Sequence, residues 1–121
     1  MRSERGSVSL VVAAGIGMSL IVTMGVADVA RALVARSRAE AAADLAALAV
    51  VQELALPSGA DPASFAAAYA AVNDARLVSC ACATGSQEAV VRVSVPVGGF
   101  LLPLPDRAVI ATARAVVDVP T

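Results

Sequence analysis

The strongest constraint on this chain is a run of 22 uncharged residues, 6–27, in a sequence of 121 residues. As an α-helix with a rise of about 1.5 Å per residue, the run is roughly 33 Å long, close to the bilayer's hydrocarbon core of about 30 Å. A helix also satisfies its own backbone N–H and C=O groups, as a spanning segment must. Residues 1–27 are therefore predicted to form a basic tip, with Arg2 and Arg5, and a single membrane span.

A cleaved secretory signal peptide is the alternative interpretation of the same run. Arg2 and Arg5 would form its basic region, and Gly25 to Ala27 would supply small residues for cleavage. The run is longer than the 7–15 apolar residues usual in signal peptides, which favours a retained span. Under the alternative, the product is a small secreted domain.

The composition excludes several classes of function. Hydrophobic residues make up 59% of the chain and aromatic residues only 2%, so the extramembrane core must be built from many small contacts. Nine basic and ten acidic residues give a net charge of −1 without a basic block, so we expect no nucleic-acid partner. With no His and two Cys, the sequence predicts no zinc site, no cofactor, no small-molecule substrate and no catalytic centre.

The helical pattern continues beyond the span. Residues 28–56 contain neither Gly nor Pro, so one helix is expected over residues 7–56, and its extramembrane part is 28–56. An apolar stripe on the distal half is expected to pack against the C-terminal domain or a neighbouring subunit; its members are Leu45, Leu48, Val50, Val51 and Leu54.

Small residues recur at helical spacing inside the span. Ala13 pairs with Gly17, and Gly15 pairs with Ser19, at intervals of four residues. Such pairs let two helix backbones approach closely in lipid. We therefore take Ala13, Gly15, Gly17 and Ser19 as the candidate helix-packing positions.

Residues 57–61 are predicted to be a linker, and residues 62–121 a small α+β head. Asp61 and Pro62 are typical of a helix start, and Phe65, Tyr69 and Val72 would form the core face of a helix over residues 62–73. The pattern then predicts three strands, at residues 76–83, 89–97 and 108–119. The expected fold class is α+β: a long N-terminal transmembrane helix extending into a head of one helix and a three-stranded antiparallel sheet.

In the second strand, Val91, Val93, Val95 and Val97 are expected on the buried face and Arg92 on the wet face.

Two local features allow more than one interpretation. The apolar loop over residues 100–104 could fold back over the core, or it could contact a partner or the membrane surface. Cys80 and Cys82 would point to the same face of a regular strand, about 7 Å apart. They could form a locally distorted disulfide, two free thiols, intermolecular bridges or a redox pair.

Several stretches of the chain together resemble the TadE-like proteins of actinobacterial tight-adherence (Flp-type) pilus and secretion loci. They are RGS at residues 5–7 before the apolar helix, RAEAAADLAALA at 38–49, ARLVSC at 75–80 and ATARA at 111–115. The resemblance implies a pilin-like structural subunit of a pilus or secretion assembly, with other pilin-like subunits as partners and the head outside the cytoplasm. It also implies processing between Gly6 and Ser7, although Val11 stands where pilins carry Glu.

Overall fold

The computed structural model describes the backbone of residues 2–118 and the side chains of residues 4–118. Two helices precede a sheet of three strands: α1 Arg2–Ala55, α2 Pro62–Val72, β1 Arg76–Ala81, β2 Glu88–Val97 and β3 Arg107–Val116. The expected α+β fold is therefore confirmed. The side chain of Arg2, part of the predicted basic tip, lies outside the described residues, as does residue 119 at the end of the predicted third strand.

Helix α1 is continuous over 54 residues and has two different halves. The side chains of residues 4–24 are exposed, apart from Gly17, which is partly buried. Contact with the rest of the chain begins at Gly25, and from Ala35 to Val50 one face of the helix is buried. The head therefore packs along the second half of α1 and leaves the first half free.

The three strands form an antiparallel sheet in the order β1-β2-β3. The central strand β2 points Val91, Val93, Val95 and Val97 into the core, while Arg92 is exposed. The alternating pattern of small β-branched side chains thus predicted the buried face of this strand correctly.

The face that α1 turns toward the head consists largely of alanine, so only part of the predicted apolar stripe packs against the head. Val50 is fully buried, and Val51 and Leu54 are partly buried, but Leu45 and Leu48 are 44% and 56% exposed. The buried positions of this face are Ala35, Ala39, Ala42, Ala43, Ala46, Ala47, Ala49 and Val50. Alanine takes the inner face because a small side chain lets the sheet and α2 lie closer to the α1 backbone.

Helix α2 also buries alanine in place of its larger residues, which contradicts the predicted core face. Ala66 and Ala70 are fully buried, whereas Tyr69 is 45% and Val72 is 82% exposed; Phe65 is partly buried. The physical reason is the same: α2 approaches α1 through small side chains, and the larger ones turn outward.

The junction between α1 and α2 is held by side-chain caps. Asp61 caps α2 by accepting a hydrogen bond from the Ala63 N–H, and Pro62 occupies the first turn, as predicted. Glu53, which is buried, accepts hydrogen bonds from the backbone N–H and the hydroxyl of Ser58 at 2.7 and 2.9 Å. These bonds fix the chain where it leaves α1.

Candidate functional site

The free half of α1 has the length and composition of a membrane span. Its most apolar 18-residue window has a mean hydropathy of 2.2, and no residue in that window is buried within the protein. Among the described residues, this is the one helix that is long and apolar enough to cross a membrane. Its exposed large apolar side chains can therefore face lipid.

Two hydroxyl side chains in this half are satisfied within the helix. Ser19 donates a hydrogen bond to the Gly15 carbonyl at 2.9 Å, and Thr23 donates to the Ser19 carbonyl at 2.8 Å. Such bonds satisfy polar groups that cannot find water in lipid. Beside them, a Cβ added to Gly15 or Gly17 would meet nothing within 4 Å, so this surface is open to a neighbouring helix.

A buried carboxylate marks the end of the uncharged run. Asp28 is 4% exposed, and its two oxygens accept hydrogen bonds from the N–H groups of Leu101 and Leu102 at 2.8 and 3.0 Å. Burial raises the pKa of Asp28. The hydrogen bonds from Leu101 and Leu102 and the charge of Arg31 together lower the pKa by more than burial raises it, so that it lies below the ordinary value of 3.8. The ionised carboxylate therefore ties the loop after β2 to α1.

The neighbouring arginine makes a second connection to the same loop. The Arg31 guanidinium donates to the Gly99 carbonyl, and it lies 3.9 Å from Asp28. Gly99 has φ +69°, a conformation that favours glycine, and a Cβ on Gly98 would lie 2.9 Å from Asp106 Oδ1. The two glycines therefore allow the chain to turn back onto α1.

The apolar loop over residues 100–104 shows features of both interpretations left open by the sequence. Phe100 packs against the core, and Leu102 approaches Gly25, with its Cδ1 4.0 Å from where a Cβ would stand. In contrast, Leu101 and Leu104 are 51% and 52% exposed. Between the loop and α1 lies a cleft of about 480 Å³; it is lined by Gly25, Asp28, Val29, Ala32, Phe100, Leu102, Leu104, Pro105 and Arg107.

The two cysteines are joined to each other at the end of β1. The Cα atoms of Cys80 and Cys82 are 5.4 Å apart, less than the separation of about 7 Å across two residues of a regular strand. Strand β1 ends at Ala81, between them, and it has a register shift between Leu77 and Ser79. The departure from regular strand geometry brings the two residues within disulfide distance.

The remaining predicted site residues lie apart from the head. Gly6, Ser7 and Ala13 are exposed on the free half of α1, far along the helix from Asp28.

Among residues 4–118, no three His, Cys, Asp or Glu side chains form a group that could hold a metal ion. Sequence reasoning missed Asp28 as a loop anchor, because its partners stand 73 and 74 positions away.

Comparison with known proteins yields one match. Residues 6–53 match the family model Tad, described as "Putative Flp pilus-assembly TadE/G-like". No curated protein and no solved structure matches the chain. The matched region begins at the candidate processing site and includes both halves of α1, and the resemblance to TadE-like proteins is thereby confirmed. Residues 6–53, which are 48 of the 121 residues, are therefore similar to TadE/G-like Flp pilus-assembly proteins.

Proposed function

We propose that this protein is a membrane-anchored, pilin-like structural subunit of a tight-adherence pilus or a related secretion assembly, with its head outside the cytoplasm. The family match fits a pilus-associated subunit and suggests a structural role in place of a catalytic one. The observation that carries the proposal is the free, apolar half of α1, which is continuous with the half that holds the head.

The assembly partners would be other pilin-like or secretion subunits that contact α1. In the span, Ala13, Gly15, Gly17 and Ser19 offer a surface of small residues for close helix packing. Farther along, Leu45 and Leu48 lie on the face of α1 that the head leaves uncovered. A neighbouring subunit along α1 would give these two leucines the apolar contacts that the head does not provide.

Gly6 and Ser7 are the proposed processing site in the same assembly. Cleavage between them would leave residues 7–27 of the uncharged run on the mature subunit, so processing is compatible with anchoring.

In-cell cross-linking of the full-length protein tests the assembly role. Gly17→Leu should reduce cross-linked partner while leaving the membrane fraction unchanged, because lipid accommodates the added side chain and a closely packed helix does not. Ile16→Leu, a volume-conserving change in the same turn, is the matched control and should have no effect. Leu48→Glu should weaken the contact along the distal half, whereas Val72→Glu on α2 should not.

Two results would overturn this function. The assembly role fails if no partner is cross-linked, or if neither Gly17→Leu nor Leu48→Glu reduces cross-linking. Recovery of a soluble product lacking residues 1–27 from the medium would instead support the secreted-domain alternative.

A further inference from the structure

We propose that the loop of residues 98–106 is a second membrane contact, which lies in the lipid headgroup layer beside the end of the span and turns Leu101 and Leu104 toward lipid. This inference rests on the proposed membrane anchor. It adds that one surface of the head also contacts the bilayer, and it gives the depth at which that surface lies.

The position of the loop follows from where it is attached to α1. Asp28, which holds the Leu101 and Leu102 N–H groups, directly follows the last residue of the uncharged run. Arg31, which holds the Gly99 carbonyl, is four residues beyond that end, a rise of about 6 Å. The headgroup region on each side of a bilayer is roughly 5–8 Å thick. If residues 6–27 span the hydrocarbon, the loop therefore lies within the headgroup layer.

The side chain of Leu102 brings the loop beside the spanning segment itself. It approaches Gly25, which belongs to the uncharged run, and so covers part of the last turn of the spanning segment. Leu101 and Leu104 belong to the same short loop, and each is about half exposed. Apolar side chains at this depth in the bilayer are stabilised when they are buried at the boundary between headgroups and acyl chains.

The loop is also suited to lipid contact because the backbone donors of residues 101–105 are satisfied. From residue 101 to residue 105, the N–H groups of Leu101 and Leu102 bond to Asp28, and that of Leu104 bonds to the Leu102 carbonyl at 2.7 Å. The other two residues, Pro103 and Pro105, have no N–H. This segment therefore offers no unpaired backbone donor whose removal from water would oppose insertion.

The loop is flanked by two cations as well as by the carboxylates of Asp28 and Asp106, and the two cations can bind a lipid phosphate. Arg107 lines the same cleft as Leu102 and Leu104, and Arg31 lies at the height of the loop with its side chain 45% exposed. A cation beside exposed leucines matches the phosphate and acyl portions of a phospholipid. The occupant that we assign to this surface is therefore the bilayer in which the span is anchored.

Tryptophan fluorescence provides a direct test, because the natural chain contains no Trp. The full-length protein is reconstituted in phosphatidylcholine–phosphatidylglycerol vesicles as single variants Leu101→Trp and Leu104→Trp. We expect emission shifted to shorter wavelength, with stronger quenching by lipids brominated near the headgroup than by lipids brominated near the chain ends. Val72→Trp, on an 82% exposed position of α2, should be quenched by iodide from water and not by brominated lipid.

Ile16→Trp in the middle of the span separates the two proposals. If Ile16→Trp is quenched by deeply brominated lipid while Leu101→Trp and Leu104→Trp behave like Val72→Trp, the loop inference is overturned and the anchor remains. If the loop variants shift to shorter wavelength without quenching by any brominated lipid, the loop contacts protein and the inference also fails. Absence of lipid quenching at Ile16→Trp would refute the anchor itself.

Discussion

Two carboxylates on α1, Asp28 and Glu53, accept hydrogen bonds near the two ends of the contact between this helix and the head. Both carboxylates are buried. Asp28 accepts hydrogen bonds from the loop after β2, and Glu53 accepts them from Ser58, which follows α1. A buried carboxylate is tolerated only when its oxygens are well bonded. Asp28 therefore holds the loop after β2 against α1, and Glu53 holds the start of the linker that leads to α2.

We expect the attachment at Asp28 to be lost in acid. A carboxyl group whose pKa is lower in the folded than in the unfolded state stabilises the fold fully above its unfolded pKa, and this contribution disappears as pH falls through the folded pKa. For Asp28, the contribution should be present above the ordinary value of 3.8 and should be lost below it. The amide proton shifts of Leu101 and Leu102, followed by NMR against pH, would report a common midpoint below 3.8.

The control for this titration is Asp28→Asn, which should abolish the pH-dependent step at both amides. Glu40, which pairs only with Arg36 on the exposed face of α1, supplies a second control, since Glu40→Gln should leave the step unchanged. A midpoint at or above 3.8 would mean that the two N–H groups and Arg31 do not stabilise the ionised form.

The packing between α1, α2 and the sheet depends on small side chains. Ala39, Ala42 and Ala46 on α1 and Ala66 and Ala70 on α2 are all fully buried. Each contributes little apolar area, but their size lets the backbones come close, where many weak dispersion contacts add up. Such an interface is sensitive to added volume more than to lost volume.

Ala66→Leu should accordingly destabilise the head, because no space remains for three more carbon atoms between α1 and α2. Overpacking of a tight core costs about 1–3 kcal/mol. Ala67→Leu is the matched control: the residue is the next one in α2, it is exposed, and the change should alter stability by less than about 0.5 kcal/mol. Thermal unfolding of the two variants measures the difference, and equal stabilities would refute the assigned orientation of α2.

The features that sequence predicted correctly are those in which side-chain chemistry changes sharply along the chain. The uncharged run at residues 6–27, which forms a helix free of the core, and the alternation from Val91 to Val97, which forms a strand with one buried face, are of this kind. The buried faces of α1 and α2 were missed for the opposite reason. Hydrophobicity ranks Leu48 and Val72 above alanine as core residues, whereas the geometry of close helix packing selects alanine. The pairing of Asp28 with Leu101 depends on the tertiary fold, and neither local spacing nor composition indicates it.

Over the whole molecule, the two halves of α1 differ in their contacts, because the second half alone packs against the head. Residues 4–24, exposed except for the partly buried Gly17, lie outside the contacts that build the core, whereas the helix from Gly25 onward packs against the loop, the sheet and α2. The head should therefore fold without the span, provided that the attachment at Asp28 is retained.

A fragment of residues 25–121 should thus give a mixed helix and sheet circular dichroism spectrum and a cooperative thermal transition. A fragment of residues 35–121 lacks Asp28 and Arg31, so its loop loses both connections to α1 and its transition should occur at a lower temperature. A purely helical or disordered spectrum for the longer fragment would contradict the independence of the head.

The unbroken course of α1 through Asp28 has a mechanical consequence. Under the proposed anchor, a hydrophobic segment of roughly 33 Å is long enough to cross a hydrocarbon layer of about 30 Å with some tilt, and membrane helices tilt by about 20° on average. Residues 28–55 continue that segment as one helix for about 42 Å, so a tilt of about 20° displaces the far end sideways by roughly 14 Å. Bilayer thickness would therefore set the lateral reach of the head, and a thinner or thicker membrane would change which neighbours it can touch.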